Sequence, residues 1–170
     1  MDDALGTDPD AHRSALVRDL VEVRAGLIEA LSEMSESWLM RLTNEVTDVP
    51  GRLGWTVQHE AAHHFADDVV LMRLLEQAAA GVEVWTRVEA RRLRGEAMHV
   101  TQRMRLAELR DHLVASGERA VTAIEAGAPH LYRPFAIGEA APTPILEVLR
   151  AQSTRARSGV VGIRRAFGLA

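Results

Sequence analysis

The chain has 170 residues, enough for a sizeable core, and residues 1–170 read as a single domain. Its 47% hydrophobic and 26% charged residues are ordinary for a globular protein, and a net charge of −4 leaves no cationic excess to neutralise phosphates, which argues against a nucleic-acid partner. Cysteine and lysine are both absent, which excludes disulfides, thiolate nucleophiles, thiolate metal ligands and Schiff-base catalysis. Any metal must therefore use His, Asp or Glu, and any thiol chemistry must borrow its thiol from a cosubstrate. The start, Met1-Asp2-Asp3-Ala4, has no apolar run behind it and is not expected to be a signal peptide. No apolar run approaches the length of a membrane span, so no membrane partner is expected and the expected compartment is the cytoplasm.

Asp8 and Pro9 open the first helix as N-cap and first helical residue. Leu16, Leu20, Val23, Leu27 and Leu31 give it an apolar stripe over roughly 9–33, with Arg13, Arg18, Glu22, Arg24 and Glu29 on the other side. Ser35 is a cap for a short segment holding Trp38, Leu39 and Leu42, and the stretch 44–54 reads as a loop. Thr56 caps a second helix that runs from about 56 to 80 and stops near Gly81. Residues 83–98 read as a mixed helix, with Arg87, Arg91, Arg92 and Arg94 as a solvated face and Gly95 weakening it. A clear helical pattern follows over about 100–126, then a connector from Gly127 to Pro142 rich in breakers. Thr143 and Pro144 repeat the cap signature and start a last helix running to about 167. No stretch alternates like a strand. Four long amphipathic helices with one long connection predict an all-α four-helix bundle with extra short helices.

The second helix carries the chemistry. Three of the seven histidines fall within 59–64. His59 and His63 are four apart, so they share a helix face and can offer two imidazoles to one divalent metal such as zinc, nickel or manganese. Asp67, one turn beyond His63, is the nearest candidate for a third ligand, with Glu147, His112 and His130 further off.

Two families resemble this stretch. His59-Glu60-Ala61-Ala62-His63 satisfies the zincin motif H-E-x-x-H, which would make Glu60 the general base of a zinc peptidase. A zincin needs a β-sheet, which the sequence does not offer, and a third ligand further on, for which Glu76, Glu83 and Glu89 lie downstream with nothing to single one out. Gly54-Trp55-Thr56-Val57 followed by Ala62-His63 resembles the DinB-like family, which includes the mycothiol-dependent maleylpyruvate isomerases. This resemblance also covers the first helix, the segment around Trp38 and two later long helices. It implies a DinB-like four-helix bundle with a metal at one end, His63 in a ligand position, and a metal-activated low-molecular-weight thiol used for transfer or isomerisation on a small molecule. The family's other two ligands come from a later helix, where register places Arg155 and Gly159. A guanidinium has no lone pair for a metal.

The last helix interrupts its apolar stripe between Leu149 and Val160. Gln152, Arg155 and Gly159 lie three and four apart on one face. They point to a pocket for an anionic substrate, with Trp55 as a wall and Arg155 directed into the bundle. The leading functional expectation is a DinB-like small-molecule transferase or isomerase with an altered or lost metal site. The alternative is a non-catalytic ligand-binding or interaction protein on the same bundle, with a homodimer as one form.

Overall fold

The structure is a computed structural model that describes residues 8–41, 43 and 55–169. The expected loop 44–54, Leu42 and Gly54 lie outside these residues.

Helix α1 spans Pro9–Ser32. Asp8 Oδ1 accepts the Asp10 N–H at 3.0 Å, satisfying one free donor of the first turn. A 3₁₀ turn, Glu36–Trp38, follows. Helix α2, Val57–Ala79, starts in a capping box in which histidine replaces the usual Glu or Gln. Thr56 Oγ1 accepts the His59 N–H at 3.3 Å, and His59 Nδ1 accepts the Thr56 N–H at 3.2 Å. Gly81, at φ +81°, takes the left-handed turn beyond its end.

The stretch expected to be one mixed helix opens with a short strand, β1 at Val84–Trp85, and only then helix α3, Arg87–Thr101. The next helix begins later than its pattern suggests: α4 spans Leu106–Ala126. No glycine or proline makes that break. Gln58 Nε2 donates to the carbonyls of Thr101 at 3.3 Å and Met104 at 3.2 Å, ending α3, and Glu36 accepts the Leu106 N–H at 2.9 Å, starting α4. The connector is not purely irregular. After a 3₁₀ turn at Ala128–His130, strand β2, Pro134–Ile137, pairs in parallel with β1 (Val84 opposite Ala136) and antiparallel with β3, Thr143–Pro144. Strands of two to four residues are too short to carry an alternating pattern, which is why the sequence conceals them. Helix α5, Ile145–Phe167, therefore starts one residue late, and Thr143 donates to the Ala141 carbonyl at 3.2 Å instead of capping it.

The four long helices form a ring: α1 packs on α4 and α5, and so does α2, while α3 lies against α2. Two apolar clusters fill the ring. One holds Leu27, Leu31, Ala61, Leu109 and Ile163, the other Leu16, Leu74, Ile124, Ile145 and Leu149. Where they meet the core turns polar. Arg24 of α1, expected on the outer side, is buried instead. Its Nη2 bonds the Asp68 carboxylate and donates to the His64 carbonyl at 3.2 Å. Ser116 donates to the same Asp68 oxygen at 2.6 Å. A Cβ on Gly117 would stand 3.2 Å from Arg24 Cγ, so glycine there lets the arginine lie against α4.

Arg24→Met should cost about 3–5 kcal/mol, because it strands a buried carboxylate, whereas Arg24→Met with Asp68→Leu should recover most of that loss. Urea unfolding of the three proteins measures both, and a single-variant loss below about 1 kcal/mol would show that the pair does not hold the bundle. Gln58→Leu leaves two carbonyls without their donor and should cost about 1–3 kcal/mol, with faster amide exchange in the α3–α4 turn. Unchanged exchange there would refute the cap.

Candidate functional site

The N-terminal half of α2 places its polar side chains by helical register. His59 is turned back to its own cap, with Nδ1 2.8 Å from Thr56 Oγ1 and the Thr56 N–H on the same nitrogen. One turn on, His63 lies under the Trp55 ring, with centroids 5.0 Å apart and planes at 44°. His63 Nε2 is 2.9 Å from Arg94 Nη1 of α3, and Nδ1 is 3.4 Å from Asp67 Oδ2. A guanidinium only donates. Nε2 is therefore the acceptor, and the ring proton sits on Nδ1, facing the carboxylate. Arg94 Nη1 also stands 2.6 Å from Asp67 Oδ1. Carboxylate, imidazole and guanidinium thus form a closed triad.

Burial opposes ionisation of Asp67, but the His63 hydrogen bond, then the Arg94 charge and the charges of His63 and His64, outweigh it and bring the pKa down to about 2. Its neighbour Asp68 goes the other way. Burial pushes that carboxyl up, against the pull of Arg24 and Ser116. Two adjacent carboxylates on one helix thus shift in opposite directions: burial prevails at Asp68, and the His63 hydrogen bond with the Arg94 charge prevails at Asp67.

The expected metal set is brought together only in part. His63 and Asp67 converge, but His59 is turned to its cap through Nδ1, and the Nε2 of His63 faces Arg94. Among the described residues no three His, Asp or Glu side chains gather at metal-binding spacing. Glu147 pairs with Arg150 at 2.8 Å, and His112 packs on Phe65 with centroids 4.5 Å apart. Glu60 is fully buried rather than an exposed helix carboxylate. Among the described residues the donor set beside His63 does not fit a resident divalent metal, because the Arg94 cation stands where a further ligand would be needed.

The expected pocket on α5 needs one correction. Gln152 is buried, as is Ser153, and both line a cavity of about 30 Å³ with Arg24, His64, Asp67 and Asp68. Arg155 is exposed and does not enter the bundle. Its register decides this: it is one residue, about 100°, away from Ala156, which packs inward with Gly159 and Val160. Arg24 and Arg94, both expected on solvated faces, turn inward instead. Spacing carries their signal. Arg24 falls between Leu20 and Leu27, and Arg94 lies on the line Ala90, Ala97, Thr101, both at helical intervals along an inward stripe.

Since the folded-state pKa of Asp67 lies below the ordinary 3.8, its ionised form adds stability above about pH 4, and that contribution drains away as pH falls towards 2. Asp67→Asn should therefore lose about 2 kcal/mol at neutral pH and converge with the parent protein near pH 2. Urea midpoints across pH test this, and parallel curves that never converge would contradict the triad.

Neither a family model nor a curated protein matches the sequence. The crystal structure of the mycothiol-dependent maleylpyruvate isomerase does match in fold, with a TM-score of 0.65 and 17% sequence identity over 89% of this chain and 60% of that one. The chain thus spans less than two thirds of that protein's length. The likeness establishes the fold: a DinB-like helical bundle, as the Gly-Trp-Thr-Val segment suggested.

Proposed function

We propose that the protein is a small-molecule enzyme of the DinB-like class, a transferase or isomerase that uses a low-molecular-weight thiol on an anionic substrate. Its base is His63, oriented by Asp67. The observation that carries this reading is the His63 imidazole, fixed by Asp67 on one nitrogen and turned towards Arg94 on the other. An imidazole oriented by a carboxylate is a general-base arrangement. Once Arg94 yields Nε2, that nitrogen can take the proton of a thiol. The S–H bond breaks, an N–H bond forms, and the imidazolium is stabilised by Asp67. The thiolate is left beside the Arg94 guanidinium. It adds to an electrophilic carbon of a conjugated C=C bond, breaking the π bond and leaving an enolate. In transfer the C–S bond stays and the enolate takes the imidazolium proton. In isomerisation the enolate rotates about the new single bond and expels the thiolate, which takes that proton back. The chain has no cysteine of its own to supply this sulfur. The resemblance to a mycothiol-dependent isomerase supports mycothiol as the first thiol to try.

A second reading has its own observation. Both ring nitrogens of His63 and both oxygens of Asp67 are already in contact, as in an ion pair that replaces a metal. On that reading the bundle binds a small molecule without turning it over. The two separate in one experiment. Mycothiol at about 100 times its Kd should stabilise the enzyme by about 2.7 kcal/mol in thermal shift. His63→Ala should then slow thiol transfer about 10²–10⁴-fold while leaving the fold intact. Stabilisation by small carboxylates but by no thiol would favour the binding protein. Stoichiometric zinc, nickel or manganese in protein purified without chelators, lost in His63→Ala, would overturn the metal-free base.

A further inference from the structure

Arg94 makes all its inward contacts through one atom. Nη1 reaches Asp67 Oδ1 at 2.6 Å and His63 Nε2 at 2.9 Å. Among the described residues, Nε and Nη2 make no hydrogen bond. The side chain is 28% exposed. The other arginines of this helix are used differently. Arg92 pairs with Glu96 at 2.7 Å on the surface, and the Arg87 stem packs over Gly138. Arg94 is thus a guanidinium gripped on one side by a buried carboxylate and open on the other.

The open side is the Nε–Nη2 edge, two parallel N–H donors at the spacing of the two oxygens of a carboxylate. Because Nη1 is already held, little side-chain freedom remains to be lost when a ligand binds that edge. The charges also agree. Asp67 and Arg94 balance each other at the Nη1 contact, and an incoming carboxylate meets the same delocalised cation on its other edge.

We propose that the Nε–Nη2 edge of Arg94 docks the carboxylate of a small-molecule substrate, which makes Arg94 the residue that selects carboxylates at this site. The purpose of the docking rests on His63 as the base; the docking itself does not. The substrate class is a small electrophile bearing a carboxylate, held at the edge of the guanidinium that His63 and Asp67 leave free.

Succinate serves as the probe and the uncharged succinamide as its control, read in the ¹⁵N spectrum of the arginine Nε–H groups. Succinate should shift the Arg94 Nε–H signal saturably, and succinamide should leave it in place. Arg94→Lys keeps the charge and loses the fork, so it should weaken succinate binding about tenfold or more. Arg91→Gln, on the exposed face, should leave binding unchanged. No succinate-dependent shift at Arg94, equal binding by Arg94→Lys, or an equal loss in Arg91→Gln would each overturn the proposal; the last would reduce it to general attraction by a basic helix. If Arg94→Lys fails to fold, the Arg94 signal in the parent protein decides alone. Thiol turnover without a shift at Arg94 sinks the docking and spares the base. A shift without turnover does the reverse.

Discussion

The buried contact between Arg24 and Asp68 is the constraint around which the bundle is built. Two unit charges inside a core cost several kcal/mol each in lost hydration, and only close pairing with further hydrogen bonds offsets that loss. Here Ser116 and the His64 carbonyl supply the extra bonds, and Gly117 supplies the space. The contact ties α1 to α2, and the serine brings in α4. It also divides the apolar interior in two, so every long helix changes from apolar to polar and back along its inward face.

That layer governs the site because Asp67 and Asp68 are consecutive. Side chains one residue apart on a helix point about 100° apart, so fixing Asp68 on Arg24 fixes the direction in which Asp67 projects. Asp67 is then left to meet His63 and Arg94. The family resemblance led us to expect metal ligands beside His63. The chain gathers a carboxylate, an imidazole and a guanidinium there instead. Such a trio can orient a base and attract an anion, and both are tasks that a metal otherwise performs by charge.

The helices were legible because their caps and stripes are local. Asp8, Thr56 and the apolar spacing of α1, α2 and α5 place those elements to within a residue or two. What the sequence concealed is made by partners distant in the chain. The α3–α4 break depends on Gln58 and Glu36, and β1 becomes a strand only because β2 lies beside it. The site divides in the same way. His63 and Asp67 are one turn apart and could be read together. Arg94 is about thirty residues away, in a run of arginines that all look alike until the stripe through Ala90 and Ala97 is traced. The Arg155 reading failed for a related reason. The break in polarity on α5 is genuine, but its inward positions hold Gln152, Ser153 and Gly159, and the arginine sits on the shoulder.

Helix α3 is clamped at both ends. At its start, Thr86 and Glu89 close a capping box, and β1 is tied to β2. At its finish, Gln58 grips the last turn. Because both ends are held by residues outside the helix, the side chains at its middle, Arg94 among them, take their place from the β1–β2 pair and from Gln58 as well as from α3 itself.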